Sequence, residues 1–151
     1  FQMFCLALVT GMFLFLGSCD DDDDESQSSN TFLEKNAGKS WVETRDYETI
    51  YLRLNNNTNN FLDIWYSYEG DNCYYDDDIY EGGTVKIIEN SSDKLIVEVV
   101  YQGGKDILTF SLQGDKLKVV VDETYDGETD QYILYFDSAS INLDNLNMCD
   151  S

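Results

Sequence analysis

The feature that most constrains this chain is a period of two. From Lys39 onward, short runs alternate apolar with polar residues and are separated by turn-forming residues. Ile50, Leu52 and Leu54 alternate with Tyr51 and Arg53, and six residues from Asn55 to Asn60 then form a turn. Leu62, Ile64, Tyr66 and Tyr68 alternate with Asp63, Trp65 and Ser67 before an acidic, aromatic loop from Glu69 to Gly83. After Val85 and Ile87 come the turn Asn90 to Asp93, then Leu95, Val97, Val99 and Tyr101 on one face. Gln102 to Asp106 closes that hairpin, Gly114-Asp115 and Asp126-Gly127 mark two further turns, and Tyr132, Leu134 and Phe136 share a face of the last strand. Such alternation places successive side chains on opposite sides of a sheet, with one side buried. With a first strand near Ser40 to Thr44, it predicts an all-β antiparallel meander of about eight strands, with no helical run long enough for a crossover. Closure into a small barrel removes exposed edges, and a barrel of this size is either filled or holds one small ligand; an open β-sandwich is the alternative. The end of the chain, with Leu143, Leu146 and Met148, is expected to pack as a helical turn or an extended strap.

The first 18 residues obey a different rule. Phe1 to Ser18 contain no charged side chain, and Met3 to Leu16 is almost wholly apolar, ending in Gly17 and Ser18. The run is shorter than the roughly 20 apolar residues of a membrane-spanning helix and is followed by acids rather than a basic flank. It reads as a signal peptide over residues 1–18. Residue 1 is Phe and a basic leading region is missing, so the sequence is expected to start inside that signal. Leu16-Gly17-Ser18-Cys19 resembles the lipobox of bacterial lipoproteins, which implies cleavage before Cys19 and acylation of its thiol. Two or more acyl chains, at about 0.8 kcal/mol per buried CH₂, anchor stably where one does not.

Five aspartates, Asp20 to Asp24, and Glu25 follow directly, then Ser26 to Asn30, with no apolar side chain among them. Self-repulsion keeps such a run extended and solvated, so residues 19–30 are expected to be a tether reaching at most about 40 Å. Acids placed immediately after a lipidated cysteine resemble the surface-export signal of Bacteroidota lipoproteins, which implies display on the outer membrane. The competing enterobacterial rule reads Asp at this place as inner-membrane retention, and a block of six acids favours export.

Residues 31–151 form the remaining domain, long enough for one core. The formal net charge is −21; the tether takes six of the 30 acids, leaving 24 against nine bases, a net of −15. Nucleic acid is excluded as a partner by that balance, because its binding needs a basic footprint. Of four cysteines, Cys5 belongs to the signal peptide and Cys19 to the lipid, which leaves Cys73 and Cys149. In an exported chain two remaining cysteines predict one disulfide; a thiolate metal site would lack partners, since the chain has no His and no Cys-x-x-Cys.

Chemistry-bearing motifs are few. Without His there is no Ser-His-Asp or Cys-His arrangement, and Gly82-Gly83 and Gly103-Gly104 read as turns rather than phosphate loops, so the chain is read as non-catalytic. Asp122, Thr124, Asp126 and Gly127 imitate the start of a calcium loop, but the twelfth position is Ile133 instead of Glu, and an Asp-Gly hairpin is the better reading. Asp71, Asp76, Asp77, Asp78 and Glu81 supply carboxylates enough for Ca²⁺ without a defined spacing; Asp76, Asp77 and Asp78 are the candidate ligands, and solvated charge is the simpler account. Trp65, Tyr66, Tyr68, Tyr74, Tyr75 and Tyr80 crowd one strand and the following loop among acids. Aromatic faces beside carboxylates suit sugar rings, other small amphipathic ligands or a protein surface, although alternate members could equally fill the core.

Lipobox, acidic tether, the start Gly38-Lys39-Ser40-Trp41 and the string of hairpins together resemble the small lipocalin-like lipoproteins of Bacteroidota. The start is one residue longer than the Gly-x-Trp of that group, and Thr129-Asp130-Gln131-Tyr132 matches its Thr-Asp-Tyr turn loosely. Asp137-Ser138-Ala139 resembles the short O-glycosylation motif of the same bacteria. The resemblance implies a non-catalytic surface lipoprotein holding a small apolar or carbohydrate ligand, or, alternatively, a subunit docking on another envelope protein.

Overall fold

A computed structural model describes residues 30–149. The expected signal peptide, Cys19 and all of the expected tether but Asn30 lie outside the described residues.

The alternating runs form nine antiparallel strands: β1 Ser40–Thr44, β2 Glu48–Leu54, β3 Leu62–Tyr68, β4 Tyr75–Asp77, β5 Gly83–Asn90, β6 Lys94–Tyr101, β7 Gly104–Gln113, β8 Lys116–Tyr125 and β9 Glu128–Ala139. They make one sheet in the order β4-β3-β2-β1-β9-β8-β7-β6-β5, so every pair but β1–β9 is a sequential hairpin. Pairing of β1 with β9, from Ser40 opposite Ala139 to Val42 opposite Asp137, joins the two ends of the meander. The sheet thereby curls into a half-barrel, left unlaced between its edge strands β4 and β5. Asp126 at φ 50° and Gly127 at φ 87° form the β8–β9 turn, whose left-handed backbone matches the twist of a two-residue hairpin. The Asp122 to Asp130 segment is therefore a ladder and a turn, with Asp122 opposite Gln131.

About eight strands are expected from the sequence; the ninth is β4, inside the stretch expected as loop. It is three residues long and exists by pairing Tyr75, Asp76 and Asp77 with Tyr66, Trp65 and Ile64. A short helix, α1 Phe32–Asn36, precedes the sheet. Its capping box is complete: Thr31 Oγ1 accepts from the Glu34 amide at 3.3 Å, and Glu34 Oε2 accepts from the Thr31 amide at 2.7 Å. Five residues cannot hold a helix alone, and the turn between β5 and β6 supplies the rest. The Phe32 amide donates to the Ser91 carbonyl at 2.6 Å and the Leu33 amide to Asn90 Oδ1 at 3.2 Å. Among the described residues, no helix is long and apolar enough to cross a membrane.

The inward faces fill one end of the barrel and leave the other hollow. Phe32 and Leu33 from α1 join Leu54, Phe61, Leu95 and Leu117, all at most 1 % exposed, as a plug. Asn36 is the one buried amide there, and it is satisfied: Nδ2 donates to the Phe32 carbonyl at 2.9 Å and Oδ1 accepts from Lys39 Nζ at 2.9 Å.

Cys73 and Cys149 are disulfide-bonded, with Cα atoms 4.9 Å apart, as expected. The bond ties down a C-terminal strap, residues 140–149, that contains a single turn of 3-10 helix at Leu143–Asn145. The Tyr74 amide donates to the Asn147 carbonyl at 2.8 Å, and the Cys149 amide donates to the Tyr74 carbonyl at 2.9 Å. Arg53 fastens the strap to the outer face of β2 and β3: its guanidinium reaches Asp144 at 2.8 Å and Asp63 at 2.9 Å, and lies 5.2 Å from the centre of the Trp65 ring.

Candidate functional site

The hollow end is a cavity of about 450 Å³, within the range of small-molecule sites. Strand periodicity builds its walls, because inward positions recur at every second residue. Ile50, Leu52 and Ile64 stand on one side and Val99, Leu108, Phe110, Val119, Val121 and Leu134 on the other. Phe110, Val119 and Val121 are nearly sealed from solvent. Where β4 and β5 do not pair, Ile79, Glu81 and Gly83 complete the lining. Tyr80 closes the seam beside them, its hydroxyl accepting from the Phe61 amide at 2.8 Å while its ring meets Phe61 edge-on.

The polar groups of the lining are few: Asp77, Glu81 and Asp106, with the phenols of Tyr101 and Tyr132. Among the described residues no basic side chain lines the cavity. Tyr101 is held in place by a glycine. Directly across the ladder, Gly104 lets the Tyr101 ring lie over its backbone, and an added Cβ would come within 2.6 Å of Cε2. The ring then directs its hydroxyl onto Asp106 Oδ1 at 3.0 Å. Desolvation, with Asp106 as hydrogen-bond acceptor and negative neighbour, pushes the Tyr101 phenol up to about 12, so it remains a neutral donor at physiological pH. Partial desolvation at the rim, then repulsion from Asp76 and Asp78, pushes the Asp77 carboxyl above its usual range.

The six aromatic residues singled out from the sequence go to three places, and none of them lines the cavity. Trp65 and Tyr74 lie on the outer face with the strap, where Tyr74 meets Tyr51 edge-on at 5.7 Å. Tyr80 belongs to the core seam. Tyr66, Tyr68 and Tyr75 form an aromatic cluster at the β3–β4 edge; Tyr66 stacks on Tyr75 at 5.4 Å, and Tyr68 and Tyr75 are exposed. The acidic trio is likewise divided. Asp77 takes the inward register of Ile64, whereas Asp76 takes the outward register of Trp65. Among the described residues no three acidic or sulfur side chains converge on a metal-sized site. Ser138 of the Asp-Ser-Ala motif sits in the β9–β1 ladder opposite Trp41.

Sequence reasoning assigned Tyr101, Tyr132 and Leu134 to inward faces but did not single out Asp106, Glu81 or Tyr101 as a rim. The available signal was parity: Asp106 continues the inward series of Leu108 and Phe110. Compared with known protein families, curated proteins and solved structures, the chain matches none.

Proposed function

We propose that this chain is a lipid-anchored, non-catalytic binding protein of the bacterial cell envelope that carries a small apolar ligand inside its barrel. The observation that carries the reading is a cavity walled mainly by aliphatic and phenyl side chains, with three carboxyls and two phenols as its polar groups. A barrel evolved only as a spacer gains stability by filling such a space, since packing to interior density is the more stable state. The neutral probe N-phenyl-1-naphthylamine, added to the unlipidated mature chain (Cys19→Ala), should fluoresce strongly. Leu108→Trp, which fills the cavity, should weaken that binding by roughly tenfold or more while leaving the β circular dichroism intact. Equal fluorescence from both forms, or none from either, would sink the reading.

The anchor and its address rest on Cys19 and the acids beside it. The chain would be acylated at Cys19, extended across residues 19–30, and displayed on the outer face of the outer membrane. Protease added to intact cells should remove the domain, and Cys19→Ala should release it from the membrane fraction; a protected domain would overturn surface display. The disulfide supports an exported chain, because such bonds persist in oxidising compartments. A second reading, docking on an envelope protein, is favoured by the exposed Tyr68 and Tyr75 beside the free edge of β4. Aromatic patches of this kind are enriched at protein interfaces.

A further inference from the structure

We infer that the ligand held in the cavity is a cationic amphiphile, an apolar body ending in an ammonium group, with the charge placed among Asp77, Glu81, Asp106 and Tyr101. This rests on the reading of the cavity as a ligand site and adds the chemistry of the ligand's head.

Charge complementarity beside low-dielectric walls selects a cation. Every ionisable group lining the cavity is a carboxyl or a phenol. The ladder adds a further acid, since Glu123 is the register partner of Asp106. Nearby bases are committed elsewhere: Arg45 is held by Glu43 at 2.8 Å, and Lys105, one residue out of the inward register, faces Glu98 at 3.6 Å. A ligand carboxylate or phosphate would therefore enter a field of like charge with no basic side chain in the lining to answer it. Asp106 accepts one side-chain hydrogen bond, from Tyr101, and a carboxylate has about four lone-pair sites, so it keeps acceptor capacity for a further donor. The Tyr101 and Tyr132 rings add faces that attract a cation. An ammonium also offsets the partial desolvation, and the repulsion from Asp76 and Asp78, that hold the Asp77 carboxyl above its ordinary range.

The test is displacement of N-phenyl-1-naphthylamine from the unlipidated mature chain by octylamine, octanol and octanoate, which share one tail and differ in the head. At low salt octylamine should displace the probe about tenfold more tightly than octanol, and octanoate should be weakest, because charge-assisted hydrogen bonds exceed neutral ones. The double variant Asp106→Asn, Glu81→Gln should bring octylamine within about threefold of octanol, and rising salt should narrow the gap in the parent chain. Equal displacement by all three, a preference for octanoate or octanol, or failure of all three against a bound probe would overturn the inference and leave the cavity as an apolar site. Failure of the probe itself to bind would remove both readings together.

Discussion

Phe61→Ala should lower the stability of the domain by about 3–5 kcal/mol, the range for deleting a fully buried phenyl ring. Phe61 is 0 % exposed and follows the turn between β2 and β3, at the plugged end of the barrel. It also anchors the seam: its amide donates to the Tyr80 hydroxyl at 2.8 Å and its ring meets the Tyr80 ring at 5.9 Å. Because β4 and β5 share no ladder, side-chain packing at this place substitutes for backbone hydrogen bonds. The loss should therefore exceed what volume alone predicts for Phe61→Leu, which keeps most of the apolar contact. Urea unfolding followed by circular dichroism measures it, with a melting temperature lower by roughly 10–20 °C. A loss under about 1 kcal/mol would mean that the plugged end collapses around the deletion and that Phe61 does not hold the seam. Tyr80→Phe separates the two roles, for it keeps the ring and removes the acceptor, leaving the Phe61 amide unpaired at a cost of about 1–3 kcal/mol.

The faces of the sheet were legible in the sequence; what stands opposite what was not. Ile50, Leu52 and Leu54 point inward as their alternation requires, and so do Leu95, Val97, Val99 and Tyr101. Two-residue periodicity is a local property, read within one strand. The cavity is a property of curvature: it depends on Asp106 of β7, Tyr132 of β9 and Glu81 beyond β4 reaching one rim, and no local pattern states that. The aromatic run is conspicuous along the chain but is divided in space. Neighbours such as Trp65 and Tyr66 must point to opposite faces, so a crowd along the chain is parted by the sheet. β4 escaped notice because Tyr75-Asp76-Asp77 has no apolar alternation and is a strand only by virtue of its partner. α1 did carry a readable signal, Thr31 three residues before Glu34, but five residues are too few for helical periodicity to show.

Replacing both Cys73 and Cys149 with serine should cost about 4 kcal/mol, comparable with the loss of Phe61. The bond closes a loop with a sequence separation of 76 residues, and in the chain-entropy model a loop of that length restricts the unfolded state by roughly that amount. The folded state loses less. Arg53 still grips Asp144, and Tyr74 still pairs with the strap through backbone hydrogen bonds on both sides of Met148. Two observations distinguish this account from simple loss of contacts. First, the denaturant slope should rise in the serine variant, because an unfolded chain freed from its cross-link exposes more surface. Second, probe binding in the cavity should be unchanged below the melting transition, since the strap crosses the outer face of β2 and β3 while the ligand walls face inward. An unchanged midpoint would show that the strap is held by Arg53 and the Tyr74 pairing alone. A lost cavity would show instead that the strap sets the curvature of the sheet, so that the disulfide on the outer face shapes the site within.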